Sequence, residues 1–412
     1  MTCPTSPAPS YQAIHAPMVF QSSTFLAPLS ESSPSYPNPV QGQCLCNCPF
    51  IAALASIAWV NKNFIMQNGS VNKSGNYTFN FWDYKGQVMP TSTNPAIALN
   101  PVNASGNPTG VLTPVTVGPQ VIQDNNLKMS DSNGIFYGAG SNNANEVWPA
   151  LYEKAYAKFC MYENSIPLIS TKQPISSGNL TNTSYDPTYA DVLNLSKTQW
   201  GGNAAIALMY LTGRNCYAYP TASSGFTALG GVSATVSAGP SLYNYIDLGF
   251  CQESNIVFGL YKTRYPLVAW TYPSESASPA GLYNAKTNPS GIQYNNPSGI
   301  VANHCYPILG AFDSNNGSNG SSYIVLRTTY GVQDPNPNLA GAPPLTLARS
   351  PSSIWQWGEA EFPIGLTPQN PGNAATQYMP TRDLSLQTDA IFGLEQSQFQ
   401  KYFSYIGWAK GY

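Results

Sequence analysis

Charge is the scarcest property of this sequence. Aspartate, glutamate, lysine and arginine together make up 9% of the 412 residues, against about a quarter in ordinary globular chains. The formal net charge of −2 excludes the basic surface by which proteins bind nucleic acid or anionic membranes. No segment approaches the run of about 18 apolar residues that a membrane span needs. Hydrophobic residues still make up 42%, so the sequence predicts a folded protein with a large core.

A recognisable export signal is also missing. Between Met1 and Ser10 no basic patch is followed by an apolar run, so the sequence predicts no signal peptide. The surface polarity must come from Asn, Ser, Thr, Gln and Tyr, which makes the surface nearly independent of pH and poor in trypsin sites. Such a surface suits an extracellular or acidic setting, and we favour an extracellular location slightly over a cytoplasmic one.

Cysteine is present but sparse. Eight cysteines in a chain of this length are too few for a scaffold built on disulfides, although the even number permits full pairing. Cys44, Cys46 and Cys48 lie two residues apart. Zinc-binding cysteine pairs usually have two to four intervening residues, and a second ligand cluster is required elsewhere. The sequence offers no such cluster, so we expect no metal and no other cofactor.

Histidine is rarer still, and this restricts the chemistry. The chain has only His15 and His304. His15 lies in a Pro- and Ser-rich segment and is interpreted as structural. His304 lies in an apolar, strand-like stretch, where it is available as a base for a nucleophilic cysteine.

The cysteine that suits this role is Cys48. It begins an apolar run through Val60 that predicts a helix buried on nearly all sides. Asn47 is a suitable N-cap, which places Cys48 in the first turn, where the helix dipole favours a thiolate. The pair Cys48 and His304 therefore predicts thiol hydrolase chemistry.

Composition divides the chain into four parts. We predict an extended N-terminal arm (1–40), a first lobe with the nucleophile helix (41–164), a polar connecting segment (165–200) and a β-rich second lobe with His304 (201–412). Hydrophobic periodicity predicts further elements within them. These are a strand at 77–84, an amphipathic helix at 146–159, a helix at 203–211, and strands at 256–260, 266–270 and 323–326.

Several of these segments resemble the protease core of the calpain family. The most specific is residues 148–158, which follow the family's Trp-x-Ala-Leu-x-Glu-Lys-Ala-Tyr-Ala-Lys almost letter for letter. Other matching segments are Gln41-Gly42, Cys48 with Ala52-Ala53-Leu54-Ala55-Ser56, Phe79-Asn80-Phe81-Trp82, Gly201-Gly202, Tyr210-Leu211-Thr212-Gly213, Phe392 and Phe399–Phe403. The resemblance implies an α+β, papain-like fold of two lobes, helical first and β-rich second, with a cleft between them. In such a fold Cys48 would attack a peptide carbonyl and His304 would face it from the other lobe.

The sequence departs from the family pattern at several site positions. Thr328 stands where the family has the Asn that orients the imidazole, and Tyr330 replaces the Trp that shields that bond. A threonine hydroxyl can accept the imidazole N–H but has a shorter reach, so we expect a weakened triad. The family's oxyanion glutamine lies six residues before the cysteine, whereas Gln41 lies seven before and Gln43 five. We favour Gln41, with one inserted residue.

Two functions follow from these patterns. The paired aspartates of the calpain first lobe are missing around Val117-Gly118-Pro119, so we expect independence from calcium. The first function is a calpain-like, calcium-independent cysteine endopeptidase acting on proteins or peptides. The alternative is a catalytically weak or inactive homologue that serves as a structural, self-assembling or binding protein. Cys305 reads as an apolar filler or a disulfide partner, and we favour the filler. A disulfide from Cys48 to Cys44 or Cys46 would contradict the first function.

Overall fold

The computed structural model describes about half of the chain. The described residues are 10–13, 39–40, 45–85, 97–99, 103–105, 107–123, 138–141, 148–198, 204–221, 251–257, 260–263, 265–272, 285–287, 293–295, 304–313, 322–329, 347–348, 391–395, 399 and 402–410. All structural statements below concern these residues.

Helices are concentrated in the first half of the described chain. They are α1 (Cys48–Val60), α2 (Lys62–Asn68), α3 (Trp148–Glu163), α4 (Tyr189–Thr198) and α5 (Ala204–Thr212). Strands in the same half are β1 (Ser10–Ala13), β2 (Pro39–Val40), β3 (Gly69–Val71), β4 (Tyr77–Asp83), β5 (Ile97–Leu99), β6 (Val111–Val117), β7 (Gln120–Gln123) and β8 (Gly140–Ser141). The second half consists of strands: β9 (Cys216–Pro220), β10 (Cys251–Val257), β11 (Leu260–Thr263), β12 (Leu267–Thr271), β13 (Ala285–Thr287), β14 (Gln293–Asn295), β15 (Cys305–Asp313), β16 (Ser322–Arg327), β17 (Leu347–Ala348), β18 (Ile391–Glu395) and β19 (Phe403–Ala409).

One large antiparallel sheet organises the second half. Its main path runs β17-β18-β16-β15-β12-β19-β9-β5, and the hairpin β10-β11 joins it through β15. The downstream strand β19 lies in the middle, between β12 and β9. The smaller sheets are β3-β4-β6, β1-β7, β2-β8 and β13-β14. The predicted α+β class is therefore confirmed.

Several predicted elements are present with close to the expected bounds. Helix α1 begins at Cys48 and ends at Val60 as predicted, because its apolar residues are buried on nearly every side. Strand β4 alternates buried and half-buried side chains, as its sequence pattern indicates. Helix α5 ends just before Gly213, which has a φ of +64°. A Cβ at Gly213 would lie 2.6 Å from Trp82, so only glycine fits there.

Helix α3 differs from its prediction in an instructive way. The sequence predicts an amphipathic helix with a solvated polar face, but the side chains from Trp148 to Tyr162 are all buried. Its polar residues Glu153, Lys154 and Lys158 point into the protein and make hydrogen bonds there. The polar face of α3 is thus an internal connection to neighbouring segments.

The two lysines of α3 hold the adjacent chain through a network centred on Asp186. The Asp186 carboxylate lies 2.8 Å from Lys154 and 3.2 Å from Lys158. Lys154 also donates to the carbonyls of Gly118 and Gln120, and Lys158 donates to those of Thr116 and Asn182. Burial lowers the pKa of both lysines, and the charge of Asp186 opposes that shift.

The segment predicted as a polar connection is packed on the core. It contains two short 3-10 turns, Ser177–Asn179 and Thr183–Tyr185, and helix α4, which the sequence analysis did not predict. Sparse apolar side chains fix it to the main core, namely Leu168, Ile175, Leu180, Val192 and Leu195. Because they are isolated in a polar sequence, they give little periodic signal.

Helix α1 lies lengthwise against strand β15, and this contact positions the candidate site. At the C-terminal end of α1, the Trp59 indole N–H donates to the carbonyl of Leu309 at 2.8 Å. Leu309 falls at an irregularity in the β15–β16 pairing, between Ile308 and Gly310. A helix covers about 16 Å from Cys48 to Trp59, and a strand covers about 13 Å from Cys305 to Leu309. The start of α1 is therefore brought to the start of β15.

We expect the Asp186 network to dominate local stability. The change Asp186→Ala leaves two buried ammonium groups without their carboxylate, which typically costs about 3–5 kcal/mol. Denaturant unfolding measures the loss. The exposed Lys73→Ala is the control, and it should remain within about 0.5 kcal/mol of the wild type. An equally small loss for Asp186→Ala would contradict this role.

Candidate active site

Cys48 is the first residue of α1, as its sequence predicts. Asn47 occupies the N-cap position, and its carbonyl accepts hydrogen bonds from the N–H groups of Phe50 and Ile51. The first N–H groups of a helix have no acceptor within it. Pro49 has no N–H, so Cys48 supplies the first such donor of the helix. The sulfur thus lies beside the positive end of the helix dipole.

The side chain of Asn47 is used differently from the prediction. It makes no capping hydrogen bond, and its Nδ2 instead donates to Glu153 Oε1 at 2.5 Å. Glu153 Oε2 accepts the N–H of Ala139 at 2.8 Å. The residue preceding the nucleophile is therefore tied to the middle of α3.

Glu153 is an unusual group to find beside this helix. Its side chain is only 2% exposed. Burial raises its pKa to about 7, although the hydrogen bonds from Ala139 and Asn47 oppose the shift. Within the described residues Asn47 Oδ1 is buried without a hydrogen-bond partner. A protonated Glu153 can donate to that oxygen if the amide is turned over, an orientation that X–N and X–O atoms of similar size permit.

His304 lies immediately before β15 and is held by the end of β12. Its N–H lies 3.1 Å from Thr271 Oγ1, and its carbonyl accepts the N–H of Thr271 at 3.0 Å. The imidazole packs edge-on against Tyr306, with ring centroids 5.1 Å apart and planes at 88°. Backbone pairing and ring packing together fix the direction of the imidazole.

The hydroxyl at the imidazole belongs to Thr329. Thr329 Oγ1 is 2.8 Å from His304 Nε2, and both side chains are buried. The sequence predicted this role for Thr328, so the structure places the contact one residue further along the chain. Consecutive side chains in an extended segment point in opposite directions. The choice between two adjacent threonines thus depends on the backbone after β16, which the sequence does not reveal.

The thiol of Cys48 is electrostatically prepared to ionise. A hydrogen bond from the thiol of Cys305 is the largest influence that holds the pKa of Cys48 well below its ordinary value. Burial opposes that shift, and the charge and hydrogen bonding of His304 add to it. These interactions bring Cys48, His304 and Cys305 together around one sulfur atom.

Cys305 is a site residue that the sequence analysis did not identify. Its favoured interpretation was an apolar filler, and this is wrong, because its thiol is within hydrogen-bonding distance of Cys48. Burial and the neighbouring Cys48 raise the pKa of Cys305 well above its ordinary value, so it remains the protonated donor. The available signal was its position directly after the only histidine in a strand-like stretch.

Other site predictions have mixed outcomes. Cys46 and Cys48 are both free thiols, so the disulfide between them that would have contradicted a nucleophilic role is absent. Gln41, predicted as the oxyanion donor, and its alternative Gln43 lie outside the described residues, as do Cys44 and Tyr330. Among described residues no group of three or more His, Cys, Asp or Glu side chains is placed to hold a metal ion. None of the described helices is long and apolar enough to cross a membrane.

Comparison with known proteins adds no relative. No protein-family model matches the chain, and a search of the curated proteins gives no significant match. The functional interpretation therefore depends on the site itself and on the sequence motifs.

Glu153 predicts a pH-dependent stability. Its pKa of about 7 lies above the ordinary value near 4.3, so its stabilising effect is complete below about pH 4.3 and is lost as the pH rises through 7. The change Glu153→Gln removes this titration and keeps an amide that can pair with a turned Asn47. We expect the variant's free energy of unfolding to fall less steeply between pH 5 and 8. Equal slopes, measured by denaturant unfolding, would contradict the buried neutral carboxyl.

The hydrogen bond of Thr329 gives a second prediction. Thr329→Val keeps the side-chain shape but removes the hydroxyl from Nε2, whereas Thr328→Val is the matched control. A hydrogen bond worth about 1.4 kcal/mol corresponds to about tenfold. We expect Thr329→Val to slow alkylation of Cys48 at pH 7 by about that factor and Thr328→Val to slow it less. The reverse order would restore the original assignment to Thr328.

Proposed function

We propose that this protein is a calpain-like cysteine endopeptidase that hydrolyses peptide bonds through Cys48 and His304 and does not require calcium. The observation that carries the proposal is the arrangement around one sulfur atom. Cys48 lies at the N-terminus of a buried helix, the imidazole of His304 acts on its thiol, and Thr329 bonds the far nitrogen of that imidazole. A buried structural cysteine requires none of these partners.

The arrangement supports a complete sequence of proton transfers. Because Thr329 bonds Nε2, the thiol proton would pass to Nδ1 of His304, leaving a thiolate–imidazolium pair. The thiolate attacks the peptide carbonyl carbon and forms a C–S bond. The imidazolium then gives its proton to the departing amine, and the resulting thioester is hydrolysed by a water that His304 deprotonates.

The negative oxygen of the tetrahedral intermediate needs donors. The N–H of Cys48 is one, because it lies at the start of α1, and the side chain of Gln41 is the second that we propose. Each donor of this kind is typically worth about 3–4 kcal/mol. The thiol of Cys305 stabilises the thiolate between turnovers, and this extends the pH range of the ionised nucleophile downward.

The packing is consistent with a papain-like arrangement, which we propose as the fold. In such a fold the nucleophile helix of a helical lobe faces the histidine of a β-rich lobe. Here α1 meets β15 and the residue before it. We place the substrate cleft at this meeting, where the starts of the two elements converge.

Independence from calcium is supported by the Asp186 network. Backbone carbonyls and carboxylates are the ligands that calcium prefers. Around Gly118 the carbonyls of Thr116, Gly118 and Gln120 accept hydrogen bonds from the ammonium groups of Lys154 and Lys158 instead. The protein's own cations thus supply positive charge where the sequence lacks the family's paired aspartates.

A catalytically weak or inactive homologue with a structural or binding role is the second candidate. Two observations favour it. Cys48 is 7% exposed and His304 is 3% exposed, so the pair is nearly enclosed. The hydroxyl on the imidazole belongs to a threonine, whose single oxygen replaces the carboxamide of the family.

Alkylation of Cys48 as a function of pH separates the two candidates. Mass spectrometry follows labelling at Cys48 in the wild type and in His304→Ala. For the peptidase we expect half-maximal labelling at a pH well below the ordinary thiol pKa of about 8.5, and an upward shift in the variant. An ordinary profile that His304→Ala leaves unchanged would favour the inactive homologue.

Cleavage of a mixed peptide library completes the test. The wild type should cleave in the presence of a calcium chelator, and Cys48→Ala should be inactive. Cys160→Ala changes a buried free thiol on α3 and is the matched control, so it should retain activity. Cleavage that survives Cys48→Ala would place the activity at another site or in a contaminant.

A further inference from the structure

We propose that Cys48 and Cys305 form a reversible disulfide, so that the start of α1 and the start of β15 make a peroxide-sensitive modification site. The proposal depends on a juxtaposition of two free thiols from distant parts of the chain. Formation of the bond needs no peptidase activity. Only its consequence, a blocked nucleophile, rests on the proposed function.

Geometry brings the two sulfur atoms together. Cys48 is the first residue of α1 and Cys305 is the first residue of β15. The two elements lie lengthwise against each other and are fixed at their far ends by the bond between Trp59 and Leu309. At the near ends the two thiols lie within hydrogen-bonding distance, and both belong to the same apolar core. A disulfide needs the sulfurs at about 2.05 Å, which a modest rotation of both side chains provides.

The chemistry is balanced by a hydroperoxide as oxidant. The Cys48 thiolate attacks one peroxide oxygen, so that an S–O bond forms while the O–O bond breaks, and the departing alkoxide or hydroxide takes a proton from the imidazolium of His304. The sulfur of Cys48 is now a sulfenic acid. Cys305 then loses its proton to His304, and its sulfur attacks that of Cys48, so that an S–S bond forms and water leaves. Overall, two thiols lose two electrons and the peroxide gains them.

Cys305 is suited to be the resolving thiol and not the first to react. Only a thiolate reacts readily with peroxide, and Cys305 is the protonated partner of the pair. The nearby alternative is Cys46, which is exposed, free and two residues from Cys48. Cys46 approaches from the same short segment, whereas Cys305 is held against Cys48 by the packing of α1 on β15.

The product would be inert as a nucleophile and protected from further oxidation. A cysteine without a resolving partner proceeds from sulfenic to sulfinic acid, which is generally irreversible. A disulfide is restored by a dithiol reductant through thiol exchange. The second cysteine therefore converts a lasting oxidative loss into a reversible one.

The experiment treats the folded full-length protein with hydrogen peroxide, blocks remaining thiols by alkylation and maps the products by mass spectrometry. Chymotrypsin is the suitable protease, because the first basic residue is Lys62 and trypsin leaves the N-terminal cysteines on one long peptide. We expect a peptide containing Cys48 linked to one containing Cys305, and loss of the link after dithiothreitol. The variant Cys46→Ser is the matched control and should form the same link.

The variants Cys305→Ser and Cys305→Ala test the resolving role. Both should halt at a sulfenic acid that dimedone captures, and both should accumulate sulfinic acid at Cys48 faster than the wild type. A link from Cys48 to any other cysteine overturns the proposal. So does wild-type Cys48 that resists peroxide, or that becomes sulfinic at the same rate as in the variants. If the link forms but the reduced protein cleaves no peptide, the proposed function fails while the modification site stands.

Discussion

The contact between α1 and β15 is the constraint on which the rest of the site depends. The helix has almost no polar residue, so it must be covered on all sides, and β15 covers the side that leads to Cys48. The bond between Trp59 and Leu309 uses a carbonyl at an irregularity of the sheet. That bond sets the position of the helix along the strand. A shift of the helix by one turn, about 5.4 Å, would separate the thiol from the imidazole.

The few charged residues of the described chain have internal roles. Three polar residues on α3 point inward, where Glu153 ties the cap of α1 and the two lysines hold the neighbouring backbone. Burying charges is costly unless each one finds partners. A sequence with so little charge therefore spends much of it on fixing loops and a helix end, and relies on neutral amides and hydroxyls at the surface.

The sequence predicted the elements better than their contacts. Helix α1 was predicted to the residue because a long apolar run leaves little choice, and the α+β class followed from periodicity. The polar face of α3 was misjudged, because periodicity indicates that a face is polar and not whether water or protein covers it. Thr329 and Cys305 were missed for a related reason. Each lies beside a residue chosen for its chemistry, and only the backbone direction decides which neighbour faces the sulfur or the imidazole.

The place of β19 in the sheet has a consequence for biosynthesis. Residues 403–409 pair with β12, whose last residue Thr271 holds the backbone of His304. A nascent chain that has emerged only as far as β18 therefore has an open edge on the strand that supports the candidate base. Long-range pairing of this kind is slow to form and late to complete. A ribosome-bound precursor would consequently carry its thiol and imidazole without their final alignment, which would spare the translation machinery and neighbouring chains from premature cleavage.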